Sequence, residues 1–210
     1  MKHLISFLLA SLLFIAPTFA TDWSSVAEKS LKSLVGLQVA GNQERNFCSG
    51  TVIDSQRDYI LTADHCIVEA LKRNLRFTVD HQQAMVVLRD IPEDLAVIRA
   101  ETDKPAMKAA KNPAKVGDFV MALGYAYSYL VPQVRISNVT YSGITLNDGY
   151  CNSKCLGVAI DHIGGMSGGP VTDHNGDMIG IVQFGDGKTG MGRNIEIIKA
   201  RVGRYFEGTK

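Results

Sequence analysis

Residues Gly164 to Pro170 read GGMSGGP, one hydroxyl set between two glycine pairs and closed by a proline. Glycine loses more backbone freedom on folding than any other residue, so such a cluster marks a place where the chain turns tightly or approaches something closely. The stretch is either a turn between strands or a loop that presents Ser167 as a nucleophile, with the surrounding N–H groups as its apparatus. A serine hydroxyl is a weak nucleophile alone; it needs a base within hydrogen-bond reach and a third group to hold that base. The choice therefore depends on what else the chain carries.

Five histidines are present. His3 belongs to an apolar leader, which leaves His65, His81, His162 and His174. In YILTADHC (Tyr59–Cys66) a β-type run delivers His65 at its end, beside Cys66, which can tie that corner to Cys48 in FCSGTV. His81 and His174 fall at a strand end and in a predicted turn, where solvation is the plain reading. For the orienting acid, EDLAVIRA places Asp94 directly before Leu95-Ala96-Val97-Ile98. A carboxylate carried to the inside of a sheet edge is costly unless paired, and an imidazole N–H would pair it; a strand-start cap is the simpler role.

Outward from these motifs, MKHLISFLLASLLFIAPTFA (residues 1–20) has a basic start, an apolar run and a small-residue ending. That is the pattern of a secretory signal peptide cleaved after Ala20, too short in its apolar part for a membrane span, and it predicts a secreted or periplasmic protein with no membrane association after cleavage. The chain has 22 basic and 21 acidic residues, and loss of Lys2 with the leader balances them. With no basic excess or run, nucleic acid is not an expected partner. Cys48, Cys66, Cys151 and Cys155 would enter an oxidising compartment, where two bridges are expected. Four cysteines allow three connectivities and spacing does not choose among them; pairing of Cys48 with Cys66 and Cys151 with Cys155 is the expectation carried forward. A zinc site is disfavoured because the other pair lacks C-x-x-C spacing, and no metal or cofactor is expected.

Along the chain, Trp23 to Leu34 has helical spacing with Ser24 or Ser25 as its cap. Short β-branched runs follow in two groups. Between them, ETDKPAMKAAKNPAKVGD (Glu101–Asp118) is lysine-rich, carries Pro105 and Pro113 and reads as a surface linker. Asn175-Gly176 is a two-residue hairpin signal, and helical spacing returns from about Asn194 to Phe206. The predicted architecture is all-β: two antiparallel Greek-key barrels packed together, with a short N-terminal and a C-terminal helix. The expected division is residues 1–20 as leader, 21–115 as the first barrel and 116–210 as the second.

TADHC, DLAVI and GGMSGGP, in the order His65, Asp94, Ser167, resemble the chymotrypsin-like (trypsin-like) serine peptidases, and that order separates them from subtilisins and α/β-hydrolases. Within the family, VGDFVMALGY and VRISNVTYSGI look more like the bacterial high-temperature-requirement branch, here without an attached peptide-binding module, since only EGTK follows the last helix. The resemblance implies a serine endopeptidase acting on proteins or peptides, with His65, Asp94 and Ser167 as triad and the N–H groups of Gly165 and Ser167 as oxyanion hole. It also places Asp161, six residues before the serine, at the base of a specificity pocket with His162 beside it and Gly185 and Gly190 as walls. This implies cleavage after lysine or arginine, although relatives of the high-temperature-requirement type mostly prefer small aliphatic residues. Two departures stand out. Met166 replaces the aspartate that receives the new N-terminus in trypsins, which implies no such activation switch, and Asp64 puts a second carboxylate beside the base. A catalytically weak protease-fold binding protein and an esterase using the same triad are the competing expectations.

Overall fold

The computed structural model describes residues 21–39, 46–72, 75–126, 131–146, 151, 153–161 and 163–209; the leader and His162 lie outside them. The first group of elements is α1 (Trp23–Leu31), β1 (Leu34–Val39), β2 (Asn46–Asp54), β3 (Tyr59–Thr62), α2 (Asp64–Lys72), β4 (Phe77–Val79), β5 (Gln82–Gln83), β6 (Met85–Asp90) and β7 (Leu95–Arg99). The second is β8 (Phe119–Gly124), β9 (Gln133–Ile144), β10 (Cys155–Val158), β11 (Pro170–Thr172), β12 (Met178–Ile181), β13 (Phe184–Gly185), β14 (Gly190–Arg193) and α3 (Ile195–Val202). Each group forms a seven-stranded antiparallel sheet, ordered β5-β4-β1-β2-β3-β7-β6 and β12-β11-β8-β9-β10-β14-β13. The sheets curl into two half-barrels, the chymotrypsin-like architecture expected from the sequence.

The apolar runs are continuous because the central strands bury both faces. In β7, Ala96 and Ile98 enter the core of the first sheet, whereas Leu95 and Val97 enter a second core shared with the other half. Ile60 and Leu61 of β3, and Val52 and Ile53 of β2, divide in the same way. This period-two split is the geometry of a strand, and it makes one wall serve two cores. The shared core also takes Met178 and Ile181 of β12 and Ile195, Ile198 and Val202 of α3, so the C-terminal helix seals the seam.

Several local expectations shift. Asp22, not Ser24 or Ser25, caps α1, its carboxylate accepting from the N–H groups of Ser24 and Ser25, and Leu34 opens β1 instead of closing the helix. Residues 173–177 form a longer loop than a two-residue hairpin: Asp173 accepts from the N–H groups of Asn175 and Asp177 and holds Gly176 at φ +74°. The Glu101–Asp118 segment crosses the surface but is pinned by Met107 and Ala110, which are buried and bonded to Val52 and Met178.

Candidate active site

His65 sits in the first turn of α2, which begins two residues after β3 ends. Asp94 follows a 3-10 turn, Ile91–Glu93, and adopts the left-handed conformation at φ 52°, ψ 44°. That region is uncommon for a side-chain-bearing residue and costs about 1–3 kcal/mol, so it persists only where the surroundings impose it. Here the result is a two-pronged grip. Asp94 Oδ1 accepts the backbone N–H of His65 at 2.8 Å, and Oδ2 lies 2.8 Å from His65 Nδ1. A ring N–H donating to this carboxylate leaves Nε2 as the basic nitrogen. The backbone of Asp94 is held in turn, its carbonyl accepting from the N–H of Asp64 and from Gln183 Nε2.

Asp64, the unexpected neighbour of His65, is buried and paired with Arg89 through two bonds, Nε to Oδ1 at 2.6 Å and Nη2 to Oδ2 at 2.9 Å. The bond to Asp64 raises the Arg89 guanidinium above its ordinary pKa, against the opposing effect of burial. The charge of Asp64 is therefore compensated by Arg89. On the same corner the Cys48–Cys66 disulfide joins β2 to α2, with its sulfurs and a His65 ring nitrogen within 4.8 Å of one another.

The serine loop shows what its glycines are for. Gly168 has φ +85°, and a Cβ there would lie 2.1 Å from Ser49 O and 2.3 Å from Thr62 Oγ1. Only a residue without a side chain lets the loop press against β2 and β3, where the N–H of Ser49 donates to Ser167 O at 2.8 Å and the Ser49 hydroxyl to Gly165 O at 2.8 Å. Gly165 itself is at φ +98°. Met166 is fully buried in the core of the second sheet, so the loop is anchored by apolar packing at the position where trypsins use a charge. Ser167 Oγ donates to the carbonyl of Gln183 at 2.8 Å. Among the described residues, no acceptor takes the N–H of Gly165 or of Ser167.

Of the residues expected to shape a specificity pocket, Asp161, Gly185 and Gly190 lie among the described ones. Gly185 pairs with Gly190 across β13 and β14, and Gly190 pairs with Val158 of β10. A Cβ on Gly190 would meet the side chain of Ile160 at 2.7 Å. Ile160 is buried, while Asp161 is exposed. The residue facing the glycine wall is thus apolar, because the chain leaving β10 turns Ile160 inward and Asp161 outward. The Cys151–Cys155 disulfide closes the loop before this strand, as expected.

Residues 48–181 match the sequence model of the trypsin-like peptidase domain family, a stretch that contains all three motif residues. The chain belongs to the trypsin-like peptidase domain family. It is 30% identical over 150 residues to the periplasmic serine endoprotease DegP of Salmonella typhimurium, covering 67% of this chain and 31% of that protein. It is 27% identical over 163 residues to the periplasmic pH-dependent serine endoprotease DegQ of Escherichia coli, covering 73% of this chain and 35% of that protein. The chain spans about a third of the length of these curated relatives. Among solved structures, the active form of the Rv3671c protease from M. tuberculosis superposes with a TM-score of 0.70 at 23% identity, over 88% of this chain and 85% of that one. Deg5 superposes with a TM-score of 0.71 at 21% identity, over 89% and 95%. At such identities the likeness is one of fold.

Within this trypsin-like domain, the residues that hold the site together are ones the sequence did not single out. Ser49 docks the serine loop, and Gln183 touches both Ser167 and the Asp94 backbone. Glu93 and Arg193 form a bonded pair beneath that backbone. One signal was available: Arg193 ends an otherwise uncharged strand, GMGR, just before a helix cap, and an arginine there must be buried with a partner or exposed at an edge.

Proposed function

We propose that the chain is a serine endopeptidase of the periplasm or another extracytoplasmic compartment, delivered by the leader of residues 1–20. In this reading the first half (21–115) supplies His65 and Asp94 and the second (116–210) supplies Ser167. The single observation that carries the proposal is the two-pronged bond from Asp94 to His65, which fixes the imidazole tautomer beside a loop shaped by glycine around one serine. The DegP and DegQ relatives are periplasmic serine endoproteases, which agrees with it.

The chemistry follows from those groups. Rotation of the Ser167 hydroxyl away from Gln183 O lets it hand its proton to His65 Nε2 while Oγ attacks the substrate carbonyl carbon. The oxygen that gains charge is received by the N–H groups of Gly165 and Ser167, and loss of one such donor in comparable sites costs about 2.7–4 kcal/mol of barrier. His65 returns the proton to the departing amine, and water repeats the sequence to release the acid. Asp94 remains a carboxylate and stabilises the imidazolium. For specificity, Ile160 against Gly190 favours a small aliphatic side chain before the scissile bond over lysine or arginine.

Peptide hydrolysis by wild type and Ser167→Ala tests the reading. Wild type cleaves with a preference for Val over Arg, and the variant, folded, loses turnover. Wild-type turnover in Ser167→Ala contradicts it. An inactive binder is the second reading, favoured by the Ser167–Gln183 bond; it predicts no turnover in either protein.

A further inference from the structure

Beneath Asp94, between the two sheets, lies a polar cluster that the reaction leaves unused. Arg193 ends β14 with its side chain 2% exposed, and its Nε donates to Glu93 Oε2 at 2.8 Å. The same carboxylate oxygen accepts from Ser153 Oγ, while Arg193 Nη1 lies 2.8 Å from Cys151 Sγ. Arg201 of α3 bonds Asp90 Oδ2 at 2.8 Å and approaches Glu93 Oε1 at 3.9 Å. Gln183 Nε2 donates to the carbonyls of Glu93, at 2.9 Å, and Asp94, at 2.5 Å. Every one of these donors comes from the second half. Every acceptor but Cys151 Sγ lies on the short turn, Asp90 to Asp94, that the first half uses to present its carboxylate.

We propose that Glu93, Arg193 and Gln183 are positioning residues that hold Asp94 on His65, so that the orientation of the base is set across the seam by the half that carries the nucleophile. Asp94 caps a one-turn 3-10 helix in a left-handed conformation; from its own half it is held by its N–H donating to Ile91 O, by the N–H of Asp64 and by the two bonds to His65. A buried ion pair is a poor source of stability, since well-packed apolar residues of similar volume are often as stable or more so. What the pair supplies is direction. The Arg193 fork fixes the end of the turn from one side, and the Gln183 amide fixes the two carbonyls flanking the left-handed residue from the other. Gln183 has a second feature in keeping with this: its Oε1 is buried and has no hydrogen-bond partner among the described residues, so the amide is aimed by what its nitrogen holds.

The proposal rests on the triad reading, and the experiment separates the two. Two variants keep the fold within reach: Gln183→Met, which deletes the amide together with its unpaired oxygen, and Glu93→Met/Arg193→Met, which removes both charges at once. For each, the measurements are the melting temperature, kcat and KM for a peptide substrate, the rate of Ser167 modification by a fluorophosphonate, and the far-downfield proton resonance of the His65 Nδ1–H bonded to Asp94. Misplacement of a catalytic group by about 1 Å costs up to about a hundredfold in rate. The expected result is a loss of about tenfold to a hundredfold in kcat and in modification rate, KM within about twofold, and a weakened or shifted imidazole signal at a wild-type-like melting temperature. A folded Gln183→Met protein with wild-type kcat and imidazole signal overturns the proposal, whatever the double variant does. If wild type is itself not modified at Ser167, the triad reading fails, and the imidazole signal still decides whether these residues position the Asp94–His65 pair.

Discussion

Gly168 shows how much one missing side chain decides. With its would-be Cβ 2.1 Å from Ser49 O and φ at +85°, Gly168→Ala must push the serine loop off β2 and β3 or force a disfavoured backbone. Together these effects cost about 2–5 kcal/mol, read as a lower urea midpoint, with a loss of turnover because Ser167 moves with the loop. A wild-type midpoint would mean that the loop docks elsewhere. Ile160 makes the second residue-scale prediction. Ile160→Gly should raise kcat/KM for Leu relative to Val before the scissile bond by about tenfold, the size of effect expected for added room in an apolar pocket; an unchanged ratio removes Ile160 from the pocket. At this scale the sequence singled out His65 and Asp94, which the structure brings into hydrogen-bond contact, and the glycines around Ser167, which the packing of the loop requires. It was silent where geometry decides. Counting back from the serine indicates Asp161, and nothing in that count shows that the chain leaving β10 exposes Asp161 and packs the preceding Ile160 against Gly190.

Among the elements, the β2–β3 turn carries a titratable cap. Asp54 is buried and accepts from the N–H groups of Gln56 and Arg57 and from the Arg57 guanidinium. Burial pushes its carboxyl up, but the bonds from Arg57 and Gln56 outweigh it and hold the group below the usual 3.8. A carboxylate with a depressed folded pKa stabilises the protein above its unfolded pKa, and that contribution is lost as pH falls through the lower folded value. Wild-type urea midpoints should therefore fall between pH 5 and pH 3 by more than those of Asp54→Asn, which keeps an acceptor and loses the charge; equal slopes would dissociate Asp54 from acid sensitivity. The strands were readable as β-branched runs because the sheet period imposes them. Helix α2 was not: Asp64-His65-Cys66 follows a strand without a break, and its helical face is set by packing of Ile67 and Ala70 against the first core. The Asp173–Asp177 loop escaped for a related reason, since Asp173 supplies acceptors that a two-residue Asn-Gly turn does not need.

Across the whole molecule, two half-barrels meet on a shared core, and the groups of the proposed site come from both sides of it. Two antiparallel sheets with terminal helices could be read from the order of apolar runs and the linker between them. The seam could not, because Leu95, Val97, Ile195 and Ile198 look alike in sequence whether they face one core or the other. Nor could the Glu93–Arg193 pair, whose members are separated by 100 positions. In the proposed function this assembly activates Ser167 through His65 and Asp94. Intact-mass analysis after treatment with a fluorophosphonate tests it most directly, since the reagent requires an activated serine and no knowledge of the natural substrate. Wild type should carry a single phosphonyl adduct located on Ser167, with none in Ser167→Ala or His65→Ala; an unmodified wild-type protein, or an adduct that persists in His65→Ala, would rule out activation by this triad.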